Sequence, residues 1–456
     1  MCFDHDHESP SHLNLAAGIA RETLRRCIHC GLCTSSCPTF TELGDENDGP
    51  RGRIQLMRQV AEGVLPLTNR VREHLELCLD CRACETACPS GVEYGRIIEP
   101  FRTAMLAGDP RFERRFDWFR ELILLRLFPF PERLRVMLGP VRMAQRSGLF
   151  DIVRRLGLFK LLPERLSRMT ELLPGPVPGT PRLPQFAPAI GRKRARVALF
   201  VGCVADVMFR QVHWATIRVL QHNGCDVFVP RGQVCCGAIH LHCGDALGAR
   251  QLADQNLVVF ELDRYDAIVV NHGGCGAMLR EYGHHWRDGL QPHRQKFAAK
   301  VTDVHEFIDR LGMNLPSGRI EAAVTYHDSC HLAHAQRVTV APRRMLGRVP
   351  GLKLIDLPES LLCCGSAGTY NLLQPDLADR LGRRKIENIL RTGASAVLAA
   401  NAGCMLQIAA ELRKAHVRIP VLHPMELLDL AYRELPWPNG QASERTNGSC
   451  GKTKAV

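Results

Sequence analysis

The sequence predicts a multidomain α+β and α/β protein: a helical, cysteine-rich N-terminal domain, a helical linker, and two tandem parallel α/β repeats. Three observations predict it. Of the 20 cysteines, eight fall from Cys27 to Cys88, none from there to Cys203, and ten from Cys203 to Cys404, leaving Cys2 and Cys450 in the tails. The cysteine-free stretch is rich in Arg and Leu and reads as helices. Beyond residue 190 the chain aligns on itself, with short apolar runs alternating with helical segments in each copy.

The chain has 456 residues, enough for about three domains with proper cores. Apolar residues make up 45% and charged residues 23%, ordinary soluble usage that argues against wholesale disorder. No run of 18 uncharged apolar residues occurs, so no helical membrane span is expected. The start, MCFDHDHESP, lacks a basic region followed by an apolar one, and a cytoplasmic location is expected. Disulfides do not persist there, so the cysteines point to metal or redox chemistry. The formal charge of +12 could favour an acidic partner or anionic lipid, but the one dense basic run, Gly191 to Arg196, carries no interleaved aromatics. Nucleic acid is not an expected partner.

The N-terminal domain, 19–100, carries Cys27-Ile-His-Cys30-Gly-Leu-Cys33-Thr-Ser-Ser-Cys37-Pro38 and Cys78-Leu-Asp-Cys81-Arg-Ala-Cys84-Glu-Thr-Ala-Cys88-Pro89. Both fit C-x2-C-x2-C-x3-C-P, the bacterial ferredoxin run, in which the fourth thiolate serves the neighbouring cluster. Cys27, Cys30, Cys33 and Cys88 are therefore assigned to one [4Fe–4S] cluster, and Cys78, Cys81, Cys84 and Cys37 to the other. Zinc, which wants one closed tetrahedron from two knuckles, explains neither the third cysteine nor the doubled Cys-Pro ending. Between the runs, Asp45 and the loop Asp48-Gly49-Pro50-Arg51-Gly52-Arg53 shape the protein around a cluster; Arg51 and Arg53 either offset its charge or belong to a surface loop with salt bridges.

Residues 101–190 are the linker, helical and then proline-rich from 172 to 190, where prolines block helix and favour extended chain. Its apolar segments, such as ELILLRLFPF, suit packing, a partner subunit or a membrane surface. The first repeat, 191–315, runs RVALFVGC, CDVFVP, QVCCGA, DAIVVNHGGC, DVHEFI; the second, 316–436, runs AAVTYHDSC, LKLIDLP, LLCCGSAG, SAVLAANAGC, VLHPMELL. Cys203 to Cys235 spans 32 residues and Cys330 to Cys363 spans 33; Cys236 to Cys275 spans 39 and Cys364 to Cys404 spans 40. In parallel α/β units strand ends converge on one crevice. Cys203, Cys235, Cys236 and Cys275 should thus meet at one site, and Cys330, Cys363, Cys364 and Cys404 at a second. Each set could bind an iron–sulfur cluster or, less readily, zinc. Gly237, Gly274, Gly365 and Gly403 allow close backbone approach. Cys225 and Cys243 have no counterparts and read as packing residues. His240, His242, His305, His327, His331, His334 and His423 crowd the same loops, and His305 and His423 occupy matching places. Residues 1–18 and 437–456 read as a flexible start and a disordered tail. No G-x-G-x-x-G follows a strand, so neither a flavin nor a nicotinamide site is expected in this chain.

The paired ferredoxin runs followed by two Cys-Cys-Gly (CCG) domains resemble the heterodisulfide-reductase-type iron–sulfur proteins. Within that group the chain is similar to the glycolate oxidase (glycolate dehydrogenase) iron–sulfur subunits, on CIHCGLCTSSCPTF, GDENDGPRGRIQLMRQV, CLDCRACETACPSGVEYGRI, GQVCCGAIHLHCG, GGCGAMLREYG, LLCCGSAGTYNLLQPDLA and LHPMELL. The resemblance implies an oxidoreductase component with no catalytic residues of its own. It would carry two [4Fe–4S] clusters, take electrons from FAD-containing subunits that oxidise glycolate to glyoxylate, and pass them toward quinone at the cytoplasmic face of the membrane. In heterodisulfide reductases the CCG motif ends in C-x-x-C; here Met278 and Gln407 stand in the last position, which speaks against a five-cysteine non-cubane cluster. The competing readings are a subunit serving lactate or glycerol 3-phosphate oxidation, an enzyme acting at its own CCG sites, and an iron–sulfur redox sensor on nucleic acid.

Overall fold

A computed structural model of the protein describes residues 21–107, 117–175 and 180–437. The expected flexible start, nearly all of the expected tail, Cys2 and Cys450 lie outside the described residues. The fold is helix-rich, with two sheets of mainly parallel strands.

Proline sets two helix starts in the N-terminal lobe: Pro38–Leu43 and Pro50–Ala61 both open on a proline, whose missing N–H costs nothing there. With Asn69–Glu76, Ala83–Ala87 and Gly95–Ala107 they enclose a core of Ile54, Met57, Leu75, Ile97, Ile98 and Phe101. The linker is helical as expected, through Pro131–Arg146, Leu149–Arg155 and Glu164–Leu172, with a π-helical turn at Phe119–Leu124.

The first sheet contains β1 (Phe186–Ala187), β2 (Ala195–Phe200), β3 (Cys225–Phe228), β4 (Ala267–Val270) and β5 (Val301–Asp303), in the order β1-β3-β2-β4-β5. The second contains β6 (Ala322–His327), β7 (Leu352–Ile355), β8 (Ala396–Ala399) and β9 (Val421–Leu422), in the order β7-β6-β8-β9. Removing β1 makes the two orders identical, so the duplicated sequence folds twice in the same way. β1 comes from the proline-rich stretch and pairs antiparallel with β3, Phe186 opposite Phe228, so that segment ends as a sheet edge. The central strands β4 (AIVV) and β8 (AVLA) are buried at every position, because helices cover both faces of a parallel sheet. Register places Val197 between Val227 and Ala267, and Val324 between Leu354 and Ala396.

The halves share one core, in which Val197, Val227 and Ile308 pack with Val324, Met345 and Leu428. Helices Arg210–His222 and Pro424–Tyr432 meet across the junction, where Arg218 grips Asp429 at 2.7 and 2.6 Å. Gly237 and Gly365, the glycines of the CCG motifs, have φ of +90° and +87°. A Cβ would lie 3.0 Å from the carbonyl oxygen of Ala249 at Gly237 and 2.5 Å from that of Ala378 at Gly365. Gly365→Ala is therefore expected to destabilise the chain by about 1–3 kcal/mol from backbone conformation alone. Denaturant unfolding of the variant checks it, and an unchanged midpoint would contradict it.

Candidate iron–sulfur relay

The two ferredoxin-type runs wind in the same way. The residues two and four places after the first cysteine, His29 and Gly31 in one run and Asp80 and Arg82 in the other, all have positive φ. Cys37 and Cys88, the last cysteines, sit at φ/ψ of −85°/116° and −85°/114°. Such alternation turns successive N–H groups inward, a concavity suited to an anionic group. Asp80 N donates to Cys78 Sγ at 3.3 Å and Val92 N to Cys88 Sγ at 3.4 Å.

This winding carries each fourth cysteine to the other run. Burial pushes the Cys33 thiol up to about 11, and Cys27, Cys88 and Cys30 beside it push the same way. Cys84 is raised by burial and by Cys81, Cys78 and Cys37. The outer set, Cys27, Cys30, Cys33 and Cys88, is partly exposed, with Cys30 open to solvent and Ile28 and Leu32 projecting beside it. The inner set, Cys37, Cys78, Cys81 and Cys84, lines a small cavity together with Arg53 and Tyr94.

The two arginines between the runs have separate places. Arg51 is at the surface, reaches the His29 carbonyl at 3.3 Å and pairs with Glu46. Arg53 is 1% exposed, far from a surface loop: it donates to His74 O at 2.7 Å and Thr39 Oγ1 at 2.9 Å, with Asp48 at 3.5 Å. Cys78 and Cys37 lie near its guanidinium. Gly52 between them is required sterically, since a Cβ there would lie 2.1 Å from the Glu46 carbonyl oxygen.

Each CCG half also gathers its four thiols. Cys203 Sγ lies 3.4 Å from Cys235 Sγ, and contacts continue from Cys235 to Cys236 to Cys275. The second half runs Cys330, Cys363, Cys364, Cys404 in the same manner. The two sets were expected at separate sites. The contacts run within each set, and both sets line one cavity of about 200 Å³, because the like ends of the two sheets face each other. Linker residues Phe128, Leu134, Leu138, Met169 and Leu172 also line the cavity, which cysteine spacing could not reveal. Lys385, 1% exposed, stands near Cys364 and Cys363; burial lowers its pKa and those thiols counter the effect. All 18 described cysteines are free. Buried thiols in mutual contact oppose one another's ionisation, so each set suits a polynuclear metal core, which compensates several thiolates at once. Gln407 does not take the part of a fifth cysteine: it accepts from Asn371 at 2.9 Å and donates to Ala378 O at 3.3 Å.

The inner set and the second CCG half meet. Cys363 is a close electrostatic neighbour of Cys81, and Leu79, Cys81, Cys330 and Cys363 share one packed cluster. His331 Nε2 is 2.9 Å from Asp80 O, His334 Nδ1 is 2.9 Å from Thr86 Oγ1, and Tyr370 donates to Leu77 O at 3.0 Å. His242 lies 3.8 Å from Asp80, and burial depresses its pKa to about 4, so it is neutral at pH 7. His240 points to Asp245 instead. His305 and His423 stack with centroids 5.8 Å apart, away from the thiols, with Asp303 and Asn271 as partners. Cys225 and Cys243 pack in apolar clusters. The sequence reading missed His272, at the thiol cavity, and Arg82, the hub of the junction.

Family models match four segments of the chain: 4Fe-4S dicluster domain over 23–92, the linker region of the glycolate oxidase iron-sulfur subunit over 116–173, and cysteine-rich domain over 197–280 and 324–409. The chain is 36% identical to the probable glycolate oxidase iron-sulfur subunit of Bacillus subtilis, covering 89% of this chain and 93% of that one. It is 34% identical to the glycolate oxidase iron-sulfur subunit of Escherichia coli, over 92% and 96%. Lactate utilization protein A of Exiguobacterium is 34% identical over 51% of this chain and 96% of its own. Among solved structures, a hypothetical protein from Helicobacter pylori shares the fold with a TM-score of 0.50 at 10% identity, over 84% of this chain and 68% of that one.

Proposed function

The chain belongs to the glycolate oxidase iron–sulfur subunit family, and from that premise we propose a route for its electrons. It is the electron-transfer component of an oxidoreductase complex and holds iron–sulfur clusters. Electrons enter from FAD-containing partner subunits that oxidise glycolate to glyoxylate, and leave toward quinone. Cys27, Cys30, Cys33 and Cys88 hold one [4Fe–4S] cluster and Cys37, Cys78, Cys81 and Cys84 the other; the four-thiol sets of the CCG halves, 191–315 and 316–436, hold further metal. When bound, the clusters supply one-electron carriers. The observation that carries this reading is the unbroken succession of thiols from the exposed Cys30, through the buried inner set, to Cys363 and the shared cavity. Arg53 places positive charge beside the inner thiolates, and apolar side chains of the linker helices line the cavity. Co-purification with the flavoprotein subunits, followed by a substrate screen, tests the assignment. Reduction by glycolate is expected; reduction by lactate alone would overturn it.

We place the complex at a membrane surface, on the strength of exposed apolar side chains of the linker. No helix among the described residues is long and apolar enough to cross a membrane. Yet Val136, Met143, Ile152, Leu156 and Leu161 are more than half exposed, in a segment (131–162) with seven Arg or Lys and two acidic residues. Apolar projections among basic side chains suit an interface of anionic lipid. Sedimentation with anionic vesicles is expected to capture the protein and neutral vesicles to capture less. The triple variant Val136→Glu, Leu156→Glu, Leu161→Glu should bind about tenfold more weakly or worse, a loss of only about 1.4 kcal/mol. Equal binding by the variant would contradict this placement.

A further inference from the structure

The two CCG halves are near copies, and one difference between them falls at the thiols. β2 ends in Phe200 and β6 ends in His327, each three residues before the first cysteine of its set, Cys203 and Cys330. Phe200 is 1% exposed and packs on Phe260 with centroids 6.0 Å apart. His327 is fully buried, and its ring finds no nitrogen or oxygen partner; the one polar group it meets is the Cys404 thiol. A buried imidazole with a ring nitrogen left unpaired is costly, so it calls for a further partner. The partner is indicated by position: one ring nitrogen of His327, Cys364 Sγ and Cys404 Sγ all lie within 4.8 Å of one another. Separations within that bound admit the ligand spacing around one tetrahedral ion with M–S about 2.3 Å and M–N about 2.0 Å. In the first half the matching place holds only carbon.

We propose that His327 is a metal ligand, so that the second CCG half binds its iron or zinc through mixed nitrogen and sulfur donors while the first half uses thiolates alone. The inference rests on the reading that the CCG thiols hold metal, and adds a donor that cysteine spacing leaves out. Where the metal is iron and the imidazole takes a coordination position that a thiolate would otherwise fill, the centre is less negative, which raises its reduction potential relative to an all-cysteine site; zinc there would be redox-inert. The duplicated halves would then differ in potential although their folds match, and the second half, beside Cys81, would be the more strongly accepting of the two.

The test uses the full chain purified anaerobically, with 15N-labelled histidine, beside His327→Phe, His327→Cys and Cys404→Ser. Phenylalanine reproduces what the first half carries, and cysteine keeps a donor. Iron, acid-labile sulfide and zinc per chain identify the metal that Cys404→Ser loses. Pulsed EPR reads a histidine nitrogen on reduced iron, and X-ray absorption reads one on zinc. The expected result is a histidine nitrogen in the wild-type coordination sphere, lost in His327→Phe and His327→Cys, with the ferredoxin-type iron unchanged. His327→Cys should keep the metal, with sulfur alone around it. A wild-type centre without histidine nitrogen, a nitrogen signal that survives both substitutions, or no metal lost from Cys404→Ser would each overturn the proposal. None of these readouts involves glycolate, so failure of the substrate assignment would show separately.

Discussion

Cys37→Ser is expected to cost the chain the iron held with Cys78, Cys81 and Cys84, and Cys88→Ser the iron held with Cys27, Cys30 and Cys33. Each substitution should remove about four of the roughly eight irons of the two ferredoxin-type sites. The two losses should differ in kind. Cys37 lies among the inner thiols, beside Arg53 and one step from Cys363. Its loss interrupts the route to the CCG cavity and should abolish electron transfer beyond it while leaving the outer site reducible. Cys88 belongs with the partly exposed outer thiols, and its loss should block entry from the surface. Iron analysis with EPR of each reduced variant separates these outcomes. If Cys37→Ser instead removed the iron of the first run, the crossed ligation would be wrong.

Arg82→Met is expected to destabilise the folded chain by about 3–5 kcal/mol, the range for removing one partner from a buried ionic cluster. Arg82 is 5% exposed and meets four carboxylates: Asp80 at 2.7 Å, Glu85 at 3.2 Å, Glu99 at 2.7 Å and Glu281 at 3.5 Å. Glu281 belongs to the first CCG half, so one side chain ties the N-terminal lobe to the repeats. Without it the buried Asp80 and Glu99 and the half-buried Glu85 and Glu281 are left facing one another. Burial already raises the pKa of Glu99 and Glu85, and Arg82 counters it. In the variant both protonate more readily, so the deficit should shrink as pH falls from 7 toward 5. Gly95→Ala should act in the same way, because a Cβ there would lie 1.5 Å from Arg82 Nη1. Denaturant unfolding across that pH range checks both; a pH-independent loss under about 1 kcal/mol would contradict the role.

Local spacing made much of this molecule legible. The Cys-Pro endings marked where two loops wind alike, and the repeat spacings of 32 and 33 residues marked two sheets with one strand order. What stayed hidden depends on contacts between distant segments. Arg82 fills an unspecified position of its run, and its partner Glu281 lies almost 200 residues away. The eight CCG thiols line one cavity because two sheets face each other, an arrangement that no strand pattern encodes. Arg53 was equally consistent with a surface loop until burial against Thr39, Asp48 and His74 placed it. His327 was one histidine among seven in crowded loops; comparison with Phe200 in the other copy distinguishes it.

The most direct measurement mixes the assembled complex with glycolate under anaerobic conditions and follows the EPR signals of this chain's reduced clusters. The relay predicts that the signals appear when flavoprotein subunits and glycolate are both present, that the isolated chain shows none, and that Cys37→Ser confines reduction to the outer site. Clusters that stay oxidised while the flavoprotein delivers electrons to its acceptor equally well without this chain would contradict it.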